Sequence, residues 1–300
     1  MKKGFIIAAI ILVAAGALIF AAAFAVSGFS FTKFDTEKYK TNTYYLNEDF
    51  ESIDISVKEA DISFKQSEDG KTRVECVERS KVSHSAFVEN KTLKITVSDE
   101  RTWFDHISVF SLRSQSVTVY LPVKSCETLS VGTSTGDITV PDWLSCGDVK
   151  ITASTGDIRI EGINAETIDL SVTTGDIDCK NINCQETLSL KVTTGETVLT
   201  GVACKALTSN GSTGSVKMDN VVASESFYIK RSTGDVKFVN CDAGQITVET
   251  STGDVTGTLR SEKAFTAGSS TGNVKVPDTV SGGKCEIKTS TGDIKIEITK

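Results

Sequence analysis

The sequence predicts an all-β fold: a single-stranded parallel β-solenoid (β-helix) of about nine 19–20-residue coils, behind an irregular β-rich section and one transmembrane helix. Three observations carry this. A Thr-Gly pair recurs nine times at nearly constant spacing, apolar residues alternate with polar ones on either side of each pair, and a long uncharged run stands at the start of the chain. The composition agrees: 23 Gly, abundant Thr, Ser, Val and Ile, and 3 Pro and 2 Met favour strands and tight turns over helices.

Residues 1–28 read as the membrane element. Gly4 to Val26 carries no charge over 23 residues, enough for a helix to cross a bilayer core of roughly 30 Å. Lys2 and Lys3 precede it, so the positive-inside rule places the amino terminus in the cytoplasm and the remainder outside a cell membrane crossed once. The rival reading is a cleaved signal peptide, since Ala23-Phe24-Ala25 fits a small-x-small cleavage site; the apolar run, however, exceeds the usual signal core. Either reading exports the domain. No Cys near the outer end offers a lipid attachment point, and no wall-sorting tail is expected at the carboxyl end.

Residues 29–49 read as a juxtamembrane linker, because polar and aromatic residues mix there without a period. Residues 50–125 read as a β-rich cap with strands at 52–57, 61–64, 93–97 and 116–121, and Glu59-Ala60-Asp61-Ile62 resembles a degenerate corner. Between them, Trp103, Phe104, His106, Phe110 and Leu112 suggest a loop or short helix.

Residues 126–300 hold the repeats, with corner glycines at Gly136, Gly156, Gly175, Gly195, Gly214, Gly234, Gly253, Gly272 and Gly292. Seven and five residues before each glycine, and two after it, the side chains are mostly apolar, as at Val149, Ile151 and Ile158. Two short strands with one apolar face each, meeting at a turn, account for that spacing. A further column seven residues after the glycine (Trp143, Ile163, Ile182, Val202, Val221, Cys241) suggests a third side. A unit this short cannot close a core alone, but stacked units can. Stacked antiparallel hairpins are the alternative, as turns of this chemistry also suit them. The chain ends soon after the last corner, so the final coil is expected to be frayed, shielded by Lys and Glu, or paired with another chain.

Four groups of residues are candidates for chemistry. At the corners, Asp137, Asp157, Asp176, Glu196, Asp235, Asp254 and Asp293 form an acidic ladder that would suit Ca²⁺. Ser215 and Asn273 stand at the same position, however, which favours a turn role in which each side chain serves its own amides. A basic stripe on the outer face, Arg159, Lys217, Lys237, Lys275 and Lys295, would meet an anionic polymer or simply pair with neighbouring acids. Eight Cys in an exported chain invite disulfides; Cys126 with Cys146 and Cys179 with Cys184 are the pairs to test, against buried thiols. Cys126, Cys146 and Cys204 share a position ten before the glycine, where Ala165, Gln185, Ser224 and Ala243 also fall. No zinc-spaced Cys/His cluster appears, and His84 and His106 lie in no catalytic motif, so no metal, cofactor or enzyme activity is expected. The net charge of −7 and pI near 5.1 exclude a global field for nucleic acid.

The serial Ser154-Thr155-Gly156-Asp157-Ile158 corner, preceded by Ile53-Asp54-Ile55-Ser56-Val57, resembles a bacterial family of unknown function labelled "putative adhesin", over roughly residues 50 to 300. The resemblance implies a cell-envelope protein of Gram-positive type, sometimes encoded near envelope-stress systems, with no catalytic residues to carry over. The function expected is therefore non-catalytic: a membrane-anchored chain presenting a repetitive β surface to a wall polymer or another surface protein. A structural spacer or scaffold linked to envelope stress is the alternative, and a polysaccharide-processing enzyme stands third.

Overall fold

The computed structural model describes residues 2–26, 38–102, 114–122 and 125–299, without the side chains of 2–10 and 23. The aromatic cluster expected as a loop at Trp103 to Leu112, part of the linker, and Lys300 lie outside the described residues. Helix α1 spans Lys2–Val26, and the side chains of Ile11, Leu12, Val13, Leu18 and Ile19 are largely exposed. Among the described residues no helix is long and apolar enough to cross a membrane.

Alternation about each corner glycine becomes two stacked parallel sheets. Residues before the glycine build one sheet and residues after it the other, with each coil paired in register to its neighbours: Val149 faces both Leu129 and Ile168, and Ile158 faces both Ile138 and Ile177. Parallel pairing throughout the repeats excludes stacked hairpins. Between the sheets lies one continuous apolar core, into which Leu129, Ile151, Leu170, Leu188, Phe227, Ile246 and their partners across the stack (Ile138, Ile158, Ile177, Phe238, Val255) are fully buried. At roughly 25 cal/mol per Å², each such side chain contributes about 1.5–3 kcal/mol that no isolated coil would gain.

The column seven after the glycine is not a third sheet. Ile163, Ile182, Val202, Val221 and Cys241 are buried where the chain turns back toward the first sheet, and the short pairings beside them, Asn164 with Asn183 and Ala165 with Cys184, extend that sheet. In the Gly136 coil the buried residue at this turn is Leu144, while Trp143 is half-buried. In one place no turn is needed at all, because Val236–Thr252 is a single strand that bends from one sheet into the other. The same turn corrects the cysteine column: one extra residue follows Cys184 and Ala223 relative to the neighbouring coils, so the buried residues are Cys126, Cys146, Ala165, Cys184, Cys204, Ala223 and Ala243, not Gln185 or Ser224.

Ahead of the repeats, β1 (Tyr39–Leu46), β2 (Ser52–Ser56), β3 (Asp61–Gln66), β4 (Thr72–Arg79), β5 (Val82–Glu89), β6 (Thr92–Asp99) and β7 (Ser116–Leu121) form the cap. β1 lies within the stretch expected as linker. It pairs antiparallel with β4, Tyr44 opposite Val74, and escaped notice because Tyr, Thr and Asn supply its alternation in place of Val and Ile. β2 and β3 make a coil whose corner is the degenerate Ala60-Asp61, and it is slotted between the first repeat coil, β8 (Ser125–Thr135) with β9 (Ile138–Val140), and a coil made by β6 and β7. Two antiparallel pairings, β4 on β7 and β5 on β6, then end the parallel stack.

The far end repeats the device. The Gly292 coil, Gly283–Thr291 with Ile294–Ile298, is not terminal: it lies between the Gly253 coil and the Gly272 coil, pairing Cys285 with both Ile246 and Phe265. Gly253 N–H donates to the Thr291 carbonyl at 2.9 Å, and Gly292 N–H to that of Thr271 at 3.0 Å. The last residues of the chain are therefore covered rather than frayed. Burial explains the order, since the inserted coil carries Cys285, Ile287, Ile294 and Ile296, whereas the outer coil offers Phe265, Ala267, Ser269 and a 43%-exposed Val274. Pro277, which lacks an N–H, ends the strand and begins the return loop.

Candidate functional sites on the coil stack

The corner aspartates reach to the next coil, not to their own turns. Asp61 Oδ1 accepts the Asp137 N–H at 3.0 Å, Asp137 Oδ1 that of Asp157 at 2.9 Å, and Asp157 Oδ1 that of Asp176 at 2.9 Å; Asp176 then accepts from Glu196 at 2.6 Å. The run resumes at Asp235 and continues in spatial order through Asp254, Asp293 and Asn273. Glu196 instead holds Lys217 at 2.6 Å, and the serine at 215 follows it. The acidic column is thus a hydrogen-bonded spine in which one carboxylate oxygen per coil is already committed to a backbone amide.

A checkable consequence follows for Asp157. Asn keeps the Oδ1 acceptor, so Asp157→Asn is expected to cost under about 1 kcal/mol, whereas Asp157→Ala leaves the Asp176 amide unserved and costs about 1–3 kcal/mol. Excess Ca²⁺ is expected to leave the melting temperature of the wild type unchanged. Equal losses in the two variants, or a Ca²⁺-dependent rise, would contradict a structural spine.

The basic stripe is present on the outer face but is interrupted. Arg159 sits between Asp137 (3.1 Å) and Asp157 (2.5 Å), Lys217 binds Glu196, and Lys295 lies 3.3 Å from Glu297. Register places Lys217 beside Lys237 and Lys295 beside Lys275, with Thr256 between the pairs; Asp178 and Val198 separate Arg159 from Lys217. All five are exposed. The face carries charges of both signs, with Arg159, Lys217 and Lys295 each beside an acidic neighbour.

Cys126 and Cys146, paired across adjacent coils, form a disulfide. Cys179 and Cys184 do not; both are buried thiols, as are Cys76, Cys204, Cys241 and Cys285. Burial pushes the thiols of Cys179, Cys204 and Cys285 up to about 12, so they sit inert as small apolar groups at neutral pH.

Two constellations escaped the sequence reading. Arg231 is 3% exposed inside the stack, and among the described residues no carboxylate pairs with it. Its guanidinium donates to Ser209 Oγ (2.9 Å), Thr197 Oγ1 (3.0 Å) and the Lys230 carbonyl (3.0 Å), while Nε has no acceptor. Burial lowers its pKa to about 10, which still leaves it charged near neutrality. The second lies in the cap, where Cys76 and Glu78 on β4 and His84 on β5 are buried together. Glu78 Oε1 lies 3.2 Å from His84 Nδ1, Oε2 accepts from Asn42 Nδ2, and the Tyr44 hydroxyl donates to the His84 carbonyl. The signal available in the sequence was the alternation Cys76-x-Glu78, which puts both side chains on one face of a strand.

The family model described as Toastrack DUF4097 matches residues 50–297. No curated protein matches. Among solved structures, a "putative adhesin" from Parabacteroides merdae is 13% identical, with a TM-score of 0.50, over 88% of this chain and 97% of that one. A "putative adhesin" from Bacteroides fragilis is 16% identical with a TM-score of 0.47, covering 88% and 99%. A "putative lipid binding protein" from Parabacteroides distasonis is 14% identical with a TM-score of 0.46, covering 87% and 97%. At such identities the likeness speaks for the fold alone.

Proposed function

The chain belongs to the Toastrack DUF4097 family, and from that membership we propose that it is a non-catalytic cell-envelope protein, held in the membrane by α1 and presenting the outer faces of its coil stack to a wall polymer or another surface protein. The observations that support this reading are an apolar helix whose side chains at Ile11, Leu12, Val13, Leu18 and Ile19 are largely exposed and a long, in-register outer face that carries charges of both signs. Exposed apolar side chains such as Ile11, Leu12, Leu18 and Ile19 favour an apolar surrounding, which a membrane would supply to this helix. Lys2 and Lys3 favour an inward amino terminus. On the stack, the repeated Asp and Thr are engaged in corner hydrogen bonds, which leaves them a structural role in place of a catalytic one.

The test is surface labelling of cells producing the full chain. A membrane-impermeant amine reagent is expected to modify Lys237 and Lys275 in intact cells as readily as in lysed ones, with the protein staying in the membrane fraction. Modification confined to lysed cells, or release of the protein into the medium, would overturn the orientation or the anchoring.

A further inference from the structure

We propose that Cys76, Glu78 and His84 form a binding site for one divalent transition-metal ion of the zinc class, set in the cap at the amino-terminal end of the stack. One Cys Sγ, one carboxylate oxygen and one imidazole nitrogen come within 4.8 Å of one another there, and all three residues are buried, at 0%, 2% and 2% exposure. Zinc bonds of about 2.0–2.3 Å to these donor types require only a modest inward movement of three such atoms around an ion. Sulfur and imidazole nitrogen are soft or borderline donors, which select zinc over Ca²⁺ or Mg²⁺.

Charge gives a second, independent reason. The buried Glu78 carboxylate faces the Asn42 amide, the His84 amide and the His84 ring. A dication bound by a carboxylate and a thiolate brings the buried charge to zero, with the Cys76 proton released to solvent on binding. Supporting contacts are in place as well: Asn42 orients the Glu78 carboxylate, and Tyr44 fixes the backbone that carries His84. An open cleft of about 470 Å³ reaches Glu78 and Asn42 between β1 and the β4–β5 turn, giving an ion a way in and leaving a fourth position for water or Asn42.

Co²⁺ titration of the chelator-treated full chain in detergent is the deciding experiment. One equivalent is expected to produce a Co²⁺–thiolate charge-transfer band and the visible bands of a tetrahedral site, both erased by competing Zn²⁺. Cys76→Ser should lose the charge-transfer band, Cys179→Ser should keep it, and Glu78→Gln and His84→Gln should weaken Co²⁺ binding more than about tenfold. Absence of a thiolate band in the wild type, or its retention in Cys76→Ser, overturns the site. Should Cys76→Ser fail to fold, the near-isosteric Glu78→Gln decides, and an unchanged affinity there counts against the proposal.

Discussion

Replacing Gly195 by alanine is expected to cost more than about 3 kcal/mol and to open the stack locally. Gly195 has φ +142°, where side chains are strained by about 1–3 kcal/mol, and a Cβ built there would lie 2.0 Å from the Gly175 carbonyl oxygen of the adjacent coil. That oxygen belongs to a backbone held by its neighbours, since Gly175 N–H donates to the Thr194 carbonyl, so it cannot simply swing away. Strain and collision therefore add, and even the smallest side chain is refused. Gly268 provides the contrast: its φ is ordinary and nothing lies within 4 Å of its added Cβ, so Gly268→Ala should change stability by less than about 0.5 kcal/mol. Because each coil pairs its backbone with its immediate neighbours, amide exchange should quicken around Gly175 and Gly214 well before Gly292. Comparable losses in the two variants, or exchange raised evenly along the chain, would contradict corner-to-corner stacking.

The second large effect is a gain. Arg231 occupies a column held elsewhere by Ala153, Val172, Val192 and Thr250, and it reaches one coil back to Ser209 and two coils back to Thr197, which themselves stand where the other coils carry mostly Leu, Ile or Val. Gly211, between them in the same column, has no side chain and leaves room for the guanidinium, which lies 2.8 Å from where its Cβ would be. Three polar or vacant positions thus have one cause. A buried charge met by two hydroxyls and one carbonyl, with no counter-charge, costs several kcal/mol, and replacing such a group by apolar residues of similar volume tends to stabilise by about 1–4 kcal/mol. The triple variant Thr197→Val, Ser209→Val, Arg231→Met is expected to gain in that range by denaturant titration, with Gly211 left alone because a Cβ would also strike the Val192 carbonyl. A triple variant no more stable than wild type would mean that the arginine already has compensation in the folded stack.

How much of this was readable before the structure depends on whether the cause is local. A corner needs glycine and an acceptor every 19 or 20 residues, so nine corners, two strands per coil, and the Cys126–Cys146 pair could be placed from spacing. Ala60-Asp61 was recognisable too, since the aspartate's role survives loss of the glycine. Spacing fails where position in the stack departs from position in the chain. Fixed offsets put Gln185 and Ser224 in the buried column, and a one-residue bulge moves Cys184 and Ala223 there instead. The insertion of the Gly292 coil, and of β2 and β3 at the other end, leaves no trace in the period, because every coil offers the same edges to every other. Thr197 and Ser209 were visible as polar residues in apolar columns, but their partner lies 34 and 22 residues away, and only the stack brings them together. The cap site was hidden for the same reason: β4 and β5 belong to different sheets, and what joins His84 to Glu78 is the packing of one sheet against the other.

The inserted coils also decide how the rod responds to being pulled. In a stack laid down in chain order, tension on either end peels the outermost coil first, breaking a few bonds at a time. Here a tug at the carboxyl end is felt by Ile294–Ile298, clamped between Val255–Leu259 on one side and Val274–Lys275 on the other, so the load falls in shear on both ladders together. Within the amino-terminal section β2 is gripped in the same way between β6 and β8, while β1, ahead of it in the chain, pairs with β4. At the carboxyl end the arrangement resists unzipping, and it asks a matching concession of assembly: during vectorial emergence the Gly272 coil must wait until Gly283–Ile298 arrives to fill the gap beneath it.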